Sequence, residues 1–581
     1  MARSRKLVAA LIVLAALVGG ALWLVFTRRS PEAPAAPTLH GGAVVSTIRS
    51  EPRTFNRLVG RDTVTDTIGF LTQAKLVRIN RVTDTLEPWL AESWTVSADG
   101  LSYTLKLRRG VAFSDDVLFT SADVIFTFKA VYDPKVGSPL AESLRIGGQP
   151  LRVSAPDEST VVITFPSRFG PGLRLLDGLP ILPRHRLERA LEQGTFADAW
   201  GLPTPPSEIA GLGPFVLAEY QAGQRLVFAR NPHYWRTDAA GIQLPYLERL
   251  TLEIVPDQNA ELLRLQTGQT DFGQSEVRSE DYATLKREAD AGRIQLLDLG
   301  VGLDADSLWF NLNPASKGMD LKRPWLLRVE LRRAIAHAVD RQAFIDTVFL
   351  GAAVPVHGPV TPGNTLWHDP DLPKHDFDRG AAARLLAEIG LADRDGNGVL
   401  EDAAGTPASF TLITQKGNTS LERGAAFVRE DLKKIGLVVD VVALDVGALV
   451  DRVERGAYEA VYFRFLTTNL DPALNLDLWL SSGGFHVWHP RQAKPATEWE
   501  RRIDELMGQQ VVTLDEGTRK ALVTEAQRIF ARELPIINFA APRVYFAMSA
   551  RVLNATPALL RPAVLWNPDA LAVKRPAGAG N

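Results

Sequence analysis

The segment Asp393–Asp402 has acidic residues at spacings that could bind a metal ion. Oxygen-bearing side chains occupy its first, third and fifth positions and Gly398 the sixth, as in a calcium-binding loop. The twelfth position is Ala404, where such a loop needs a bidentate glutamate, and no helix–loop–helix pattern surrounds it. We therefore interpret the segment as a turn, with a weak calcium site as the alternative.

Two histidines, His486 and His489, could also bind a metal ion. They lie three positions apart in the loop-like segment Ser482–His489. A zinc site needs at least three protein ligands, and no third ligand is defined nearby. We therefore expect no metal here, and a loop that either lines a cleft or faces solvent.

The chain lacks the motifs that usually carry catalysis. It has no Gly-x-Ser-x-Gly elbow, no His-Glu-x-x-His, no P-loop and no cysteine. Asp115 and Asp116 are adjacent in sequence, so we expect their side chains to diverge and to make a poor acid–base pair. We expect no catalytic residue, no cofactor and no enzymatic activity, with a hydrolase as a remote alternative.

The composition is that of a globular protein with more than one folded unit. A chain of 581 residues, 46% hydrophobic and 23% charged, is too long for a single core. Its net charge of −2 gives no indication of nucleic-acid binding. The absence of cysteine excludes disulfides and a lipid-modified cysteine anchor.

The amino-terminal segment, residues 1–29, predicts export. Arg3, Arg5 and Lys6 precede the uncharged run Leu7–Phe26, which would span about 30 Å as a helix. No clean Ala-x-Ala cleavage site follows it, so we favour an uncleaved anchor in the inner membrane, with a cleaved signal peptide as the alternative. The basic amino end favours a cytoplasmic start and an exported body.

The first half of the folded chain is predicted to be hairpin-rich α+β. Ala43–Ile48 is an apolar run of strand length. Leu101–Leu107 alternates apolar and polar residues after an Asp-Gly turn, which predicts a hairpin. Ser121 is a suitable N-cap for the helix that follows it.

The second half alternates strands and helices. Phe410–Ile413, Leu437–Ala443 and Glu459–Phe465 are predicted strands, and Leu421–Ile435 and Val446–Arg455 predicted helices. This alternation predicts right-handed βαβ units on a largely parallel sheet. Ligands of such sheets bind beyond the carboxyl ends of strands, which places a candidate site directly after the third of these strands.

Several segments carry the pattern of one protein family. Gly211–Trp235 has a Gly/Pro turn, two short strands and an aromatic end. It resembles the signature of family 5 extracellular solute-binding proteins, the peptide- and nickel-type receptors of ABC importers. Leu86–Phe113 and Thr120–Phe128 resemble the same family. The resemblance implies a mixed α/β fold: a two-lobed periplasmic binding protein of type II, with a small subdomain inserted in the first lobe.

The resemblance also implies a division of the chain. Residues 30–40 would be a Pro- and Ala-rich linker. Residues 41–300 would form the first lobe, with the inserted subdomain at about 76–200, and residues 301–535 the second lobe. Residues 536–575 would return to the first lobe, before a tail at 576–581.

The resemblance places the ligand site in the segment after Glu459–Phe465. Peptide-binding members have an aromatic residue there and, three positions later, an aspartate that pairs with the ligand's α-amino group. The matching residues here are Phe465 and Thr468, and Thr468 supplies no negative charge. A buried ammonium needs a paired anion, so this departure argues against ordinary peptide recognition. The ligand contacts that the resemblance implies in this segment are Phe465, Thr467, Thr468, Asn469 and Asp471. The alternative is a strand-to-loop turn formed by Asn469 and Asp471, and we favour that role for Asp471.

Four further residues are candidate contacts by the same resemblance. Phe485 and Trp488 would stack on a ligand from the glycine-rich loop. Asn311 would face the cleft from the strand that opens the second lobe, and Glu51 would lie at the cleft edge. The alternatives are core packing for the Asn311 strand and a role for the Glu51 turn in closing the first strand.

These observations predict a periplasmic solute receptor. We expect a monomer whose lobes close around an oligopeptide-like or other small solute and deliver it to ABC permease subunits. The alternative is a membrane-anchored sensor or scaffold that kept the binding fold and signals to a partner protein. The sequence leaves open whether the ligand is a peptide, a sugar or a metal chelate.

Overall fold

The structure is a computed structural model that describes residues 40–60, 62–316 and 323–574. The predicted anchor Leu7–Phe26 lies outside these residues. Within the described ranges, no helix is both long and apolar enough to cross a membrane. The chain from Gly41 onward forms one structural unit, which is the part described below.

The first half contains mostly short strands. The strands are β1 (Ala43–Ile48), β2 (Val77–Ile79), β3 (Leu86–Pro88), β4 (Ala91–Val96), β5 (Ser102–Leu107), β6 (Arg145–Ile146), β7 (Gln149–Pro150), β8 (Arg152–Asp157), β9 (Thr160–Thr164), β10 (Phe215–Gln221), β11 (Arg225–Arg230), β12 (Arg249–Ile254) and β13 (Ile294–Val301). The helices are α1 (Thr63–Thr72), α2 (Ser121–Tyr132), α3 (Arg184–Gln193), α4 (Gln258–Gln266) and α5 (Ser279–Asp290).

Two four-stranded sheets organise this half. One has the order β1-β12-β11-β10, in which only the β1–β12 pair is parallel. The other has the order β4-β5-β9-β8 and is antiparallel throughout. The hairpin predicted at the Asp-Gly turn is confirmed: β4 pairs with β5, and Gly100 has a φ of +74° that favours glycine.

The cap of helix α2 differs from our prediction. Thr120, not Ser121, is the N-cap, because Thr120 has extended backbone and forms a capping box with Asp123. Ser121 is already helical, and its hydroxyl donates to the carbonyl of Asp157 at 2.8 Å. The helix therefore begins at Ser121, one residue earlier than a cap at Ser121 would require.

The second half contains longer elements. The strands are β14 (Asp306–Phe310), β15 (Ala353–Pro355), β16 (Ser409–Gln415), β17 (Val438–Leu444), β18 (Ala460–Arg464), β19 (Ile536–Ser549), β20 (Val552–Leu553) and β21 (Ala572–Val573). The helices are α6 (Val329–Ala338), α7 (Arg341–Val348), α8 (Arg379–Glu388), α9 (Thr419–Lys433), α10 (Val446–Glu454), α11 (Leu476–Trp479), α12 (Glu498–Val512) and α13 (Glu516–Glu533).

The main sheet of the second half has seven strands. Its order is β13-β19-β14-β18-β16-β17, with β15 on β19. The predicted βαβ units are present, since β16 pairs in parallel with both β17 and β18. The prediction of a largely parallel sheet is wrong, because β13, β14, β15 and β19 all pair antiparallel. These strands come from outside the βαβ run.

The hydrophobic cores follow the same division. One cluster of buried residues includes Val44 to Phe272 and Val544 to Val573. Two other large clusters take their buried residues from Leu308 to Ala540. Strand β19 belongs to both groups, since its early residues pack in the second half and its later ones in the first. It is therefore one of the strands that connect the two cores.

Candidate functional site

A cavity of about 1100 Å³, here called the central cavity, is lined by both halves of the chain. The first half contributes α1, β2 and the loops around residues 139–147 and 167–180. The second half contributes the segment 302–304, the start of α9 and the loop after β18. A volume of this size is slightly above the usual range of small-molecule sites, about 300–1,000 Å³.

The loop after β18 lines the cavity where the sequence places the ligand. Thr467, Thr468, Asn469 and Asp471 are all lining residues. The backbone N–H of Thr467 donates to Oδ1 of Asp304 at 2.7 Å, and its hydroxyl donates to the carbonyl of Leu303 at 3.3 Å. These two bonds fix the loop against the segment that precedes β14.

Asp471 and Phe465 hold this loop in place through contacts with other parts of the chain. Asp471 is buried, forms an ion pair with Arg519, and caps a short turn by accepting from the N–H of Ala473 at 2.9 Å. Phe465 stacks on Trp309 with ring centroids 4.8 Å apart, and it is not among the lining residues. Both side chains shape the loop.

The glycine-rich loop Ser482–His489 lies outside the cavity lining. The side chain of Phe485 is 58% exposed, whereas Trp488 is 1% exposed and packs 5.7 Å from Phe530, centroid to centroid. Trp488 Nε1 donates to Glu500 at 3.2 Å. The structure therefore does not bring Phe485 and Trp488 to the cavity.

Neither His486 nor His489 belongs to a group of possible metal ligands among the described residues. His486 is buried, with its ring nitrogens 3.1 Å from the Leu478 carbonyl and 3.1 Å from Glu500. Burial opposes ionisation of Glu500, yet hydrogen bonds from His486, Gln492 and Thr497 lower its pKa to about 2. This network stabilises the fold of the loop.

Asn311 and Glu51 are likewise absent from the cavity lining. Asn311 is buried and donates from Nδ2 to the carbonyls of Gly456 at 2.9 Å and Tyr458 at 3.2 Å. Glu51 accepts from the Tyr220 hydroxyl at 3.0 Å and from a backbone N–H of the β10–β11 turn. Each side chain thus holds two parts of the backbone together.

The acidic segment Asp393–Asp402 forms a turn. Carboxylate oxygens of Asp393, Asp395 and Glu401 lie within 4.8 Å of one another. Asp393 already accepts backbone N–H groups of Gly396 and Gly398, at 2.8 and 3.0 Å. These bonds account for the turn without an ion, and the calcium alternative remains untested.

A charged cluster on the first-half wall was not predicted from the sequence. Lys75 and Arg81 both approach Asp177, at 3.3 and 3.8 Å, and both lie over the ring of Phe70. Burial lowers the pKa of Lys75 to about 8, and the charge of Asp177 opposes that shift. Two cations here share one carboxylate, so this wall has an excess of positive charge.

Asp304, on the opposite wall, was also missed. Burial raises its pKa to about 6, although the hydrogen bond from Thr467 and the charge of Arg464 act against the shift. Asp306, two residues later, is fully buried and accepts from Tyr462 at 2.7 Å and from Arg464 at 2.6 Å. Of these two aspartates on one segment, only Asp306 has a cationic partner among the described residues.

Comparison with known proteins gives matches over most of the chain. The sequence model of the bacterial extracellular solute-binding proteins, family 5 (middle region), matches residues 85–486. A probable ABC transporter-binding protein of Deinococcus radiodurans is 28% identical over 503 residues, covering 83% of this chain and 84% of the relative.

Solved structures agree with these matches. The crystal structure of the ABC transporter substrate-binding protein CtaP of Listeria monocytogenes has a TM-score of 0.75 at 23% identity, covering 92% of this chain and 100% of that one. The oligopeptide-binding protein AppA of Bacillus subtilis, solved with a nonapeptide, has a TM-score of 0.71 at 25% identity, covering 93% and 100%.

The fold and the cavity define a class of protein. Two halves with separate cores enclose a central cavity, as in the two-lobed periplasmic binding proteins that the structure matches. The match in sequence extends over more than half of the chain, and the protein belongs to the family 5 bacterial extracellular solute-binding proteins. The predicted family and the two-lobed, mixed α/β fold are confirmed. The comparisons give no support to the alternative of a membrane-anchored sensor.

Proposed function

We propose that this protein captures an oligopeptide-like solute outside the cytoplasm and delivers it to an ABC importer. The observation that carries the proposal is the cavity of about 1100 Å³ lined by both halves of the chain. The similarity to a probable ABC transporter-binding protein and to an oligopeptide-binding protein supports the importer and the peptide-like solute. We expect binding without chemical turnover, as in a family of solute-binding proteins.

Closure of two lobes is the proposed mechanism of capture. We assign residues 41–300 and 536–575 to the first lobe, with the inserted subdomain at about 76–200, and residues 301–535 to the second. The separate hydrophobic clusters support this division except at the start of β19, where Ile537, Phe539 and Ala540 pack in the core of the second half. The separate sheet β4-β5-β9-β8 supports the inserted subdomain. A solute drives closure only by making better contacts with both lobes in the closed state than in the open one.

The proposed ligand contacts are fewer than the sequence predicted. Thr467, Thr468 and Asn469 remain, because they line the cavity at the carboxyl end of β18. Phe465 and Asp471 are proposed to position that loop, since each is engaged with Trp309 or Arg519. We leave out the four side chains that lie away from the lining: Phe485, Trp488, Asn311 and Glu51.

The proposed partners are the permease subunits of an importer. We propose that the receptor is a monomer and meets them on the outer side of the inner membrane. The run Leu7–Phe26 would anchor the receptor, with a cleaved signal peptide as the alternative. Intact mass spectrometry of protein purified from membranes separates these two forms, because cleavage removes the run.

A binding screen tests the proposed function. Full-length protein is purified, denatured, and any released solute identified by mass spectrometry. In parallel, thermal unfolding is measured with tripeptides, trisaccharides and metal chelates. We expect one class to raise the unfolding temperature, because a solute that binds only the folded state stabilises it. Absence of both a released solute and any stabilisation would contradict the proposal.

A further inference from the structure

The carboxylates that line the central cavity differ in how their charges are balanced. Within the described part of the chain, six form ion pairs with lysine or arginine: Asp66, Asp84, Glu142, Asp177, Glu276 and Asp471. The other two, Asp304 and Asp477, form none with described residues. The cavity therefore has two carboxylates with charge to offer a ligand.

These two carboxylates lie in different surroundings. Asp477 is exposed and accepts from the N–H of Gly484 at 2.9 Å, so water solvates its charge. Asp304 is half-buried, and its hydrogen-bond partner among the described residues is Thr467 alone. Water stabilises the charge of Asp304 less well than that of Asp477, because an unpaired charge is more costly where it is partly buried.

We propose that Asp304 binds a protonated amine of the solute and thereby selects solutes that carry an ammonium group. The assignment rests on the proposed function, since it requires that a solute enters the cavity. It also accounts for Thr468 at the position where peptide-binding relatives would have an aspartate. Asp304 reaches the same loop from the neighbouring segment, through its hydrogen bond to the N–H of Thr467. A charge-assisted hydrogen bond from an ammonium group would then stabilise the closed state.

The proposal predicts how binding depends on pH. The pKa of Asp304 in the free protein is about 6, because burial raises it. The charged groups facing it are Glu276, which pairs with Arg561, and Arg464, which pairs with Asp306. No histidine is among the described lining residues. A protonated Asp304 must lose its proton to pair with an ammonium, so affinity should fall up to about tenfold per pH unit below pH 6.

Calorimetry with four probes tests the proposal on the full-length protein. The probes are trialanine, N-acetyl-trialanine, putrescine and the amine-free trisaccharide raffinose. We expect trialanine to bind and Asp304→Asn to weaken it at least about 30-fold, because truncating one partner of a desolvated charge pair is costly. Acetylation of the peptide should give a similar loss. Asp440→Asn, at an exposed aspartate of β17 outside the cavity lining, is the control and should change affinity less than about twofold.

The other outcomes separate the inference from the proposed function. Binding of putrescine but not of trialanine, weakened by Asp304→Asn, would keep the amine site and overturn the peptide-like solute. An amine-bearing probe, trialanine or putrescine, that binds with an affinity indifferent to Asp304→Asn would overturn the inference and leave solute binding intact. If no probe binds the wild-type protein, the inference is overturned, and the binding screen described above decides separately on solute capture. Near-ultraviolet circular dichroism checks the fold of the variant. The pH dependence of wild-type binding needs no variant, and a flat profile between pH 7 and 5 would also overturn the inference.

Discussion

Asp177 and Asp304 line the same cavity from opposite halves of the chain and have opposite electrostatic surroundings. Asp177 has two cationic neighbours, Lys75 and Arg81, and its pKa is lowered because their charges outweigh the effect of burial. Asp304 forms no ion pair with a described residue, and burial raises its pKa to about 6 although the charge of Arg464 opposes the shift. The charge of Asp177 is balanced within the free protein, whereas Asp304 lacks a counter-ion among the described residues, as the proposed amine site requires.

The largest effect is expected when Asp177 loses its charge. Asp177→Asn would leave Lys75 and Arg81 largely buried, with side chains 15% and 11% exposed, and without their shared anion. Removing one partner of a buried ion pair costs about 3–5 kcal/mol. We expect a loss near the lower end of that range, measured by urea unfolding at neutral pH. Asp177→Asn combined with Lys75→Met should recover part of it. A loss below about 1 kcal/mol would show that solvent already screens the cluster.

The same change at Asp304 is expected to act in the opposite direction. The pKa of this carboxyl rises from 3.8 in the unfolded chain to about 6 in the fold, because burial favours its neutral form. The folded state therefore binds more protons between these pH values, and its stability falls as pH rises from about 4 to 6. Asp304→Asn removes this penalty, which is at most roughly 3 kcal/mol above pH 6.

The difference in the free energy of unfolding between Asp304→Asn and wild type isolates the contribution of Asp304 from those of the other titrating groups. Urea unfolding should show Asp304→Asn to be more stable than wild type at pH 7.5 and equal to it near pH 3.5. An excess that persists at pH 3.5, or a destabilised variant at pH 7.5, would contradict the account. Higher stability with weaker binding is the usual cost of a functional site.

A second carboxylate beside Asp304 is expected to have a smaller effect, an increase in affinity for an amine. Thr468→Asp adds a negative charge next to Thr467, whose N–H contacts Asp304. Two carboxylates should bind an ammonium more tightly than one, and we expect about a tenfold gain in affinity for trialanine at pH 7.5, or about 1.4 kcal/mol. Thr468→Asn is the neutral control. Calorimetry that finds the two variants equal would place the amine elsewhere in the cavity.

The elements of the second half were predictable because their apolar patterns are local. Predicted strand Leu437–Ala443 is observed as Val438–Leu444, and predicted helix Leu421–Ile435 as Thr419–Lys433. Strand direction across the sheet was not predictable, since β14 and β19 join it from distant parts of the chain. Helix α1 was missed because its sequence contains four threonines, which disfavour helices in isolation.

The site was predictable only in part, for the same reason. The loop at Thr467–Asn469 follows a recognisable strand, and its position at a carboxyl end indicated the cavity. Asp304 contacts that loop from 163 residues away, and no local pattern marks it. The partners of Asp177 are likewise brought together only by the fold. Charge balance in a cavity is a tertiary property, so sequence can propose the loop but not the state of its carboxylates.

Asp477→Asn is expected to change stability least, so Asp477 serves as the reference for Asp177 and Asp304. It lines the cavity and lacks an ion pair with described residues, as Asp304 does, but it is exposed. Asp477→Asn can keep the hydrogen bond from Gly484, because the amide oxygen accepts as the carboxylate did. We expect the free energy of unfolding to change by less than about 0.5 kcal/mol at any pH from 4 to 8. If urea unfolding shows a change as large as that of Asp304→Asn, lack of an ion pair, rather than burial, would set the behaviour of these carboxylates.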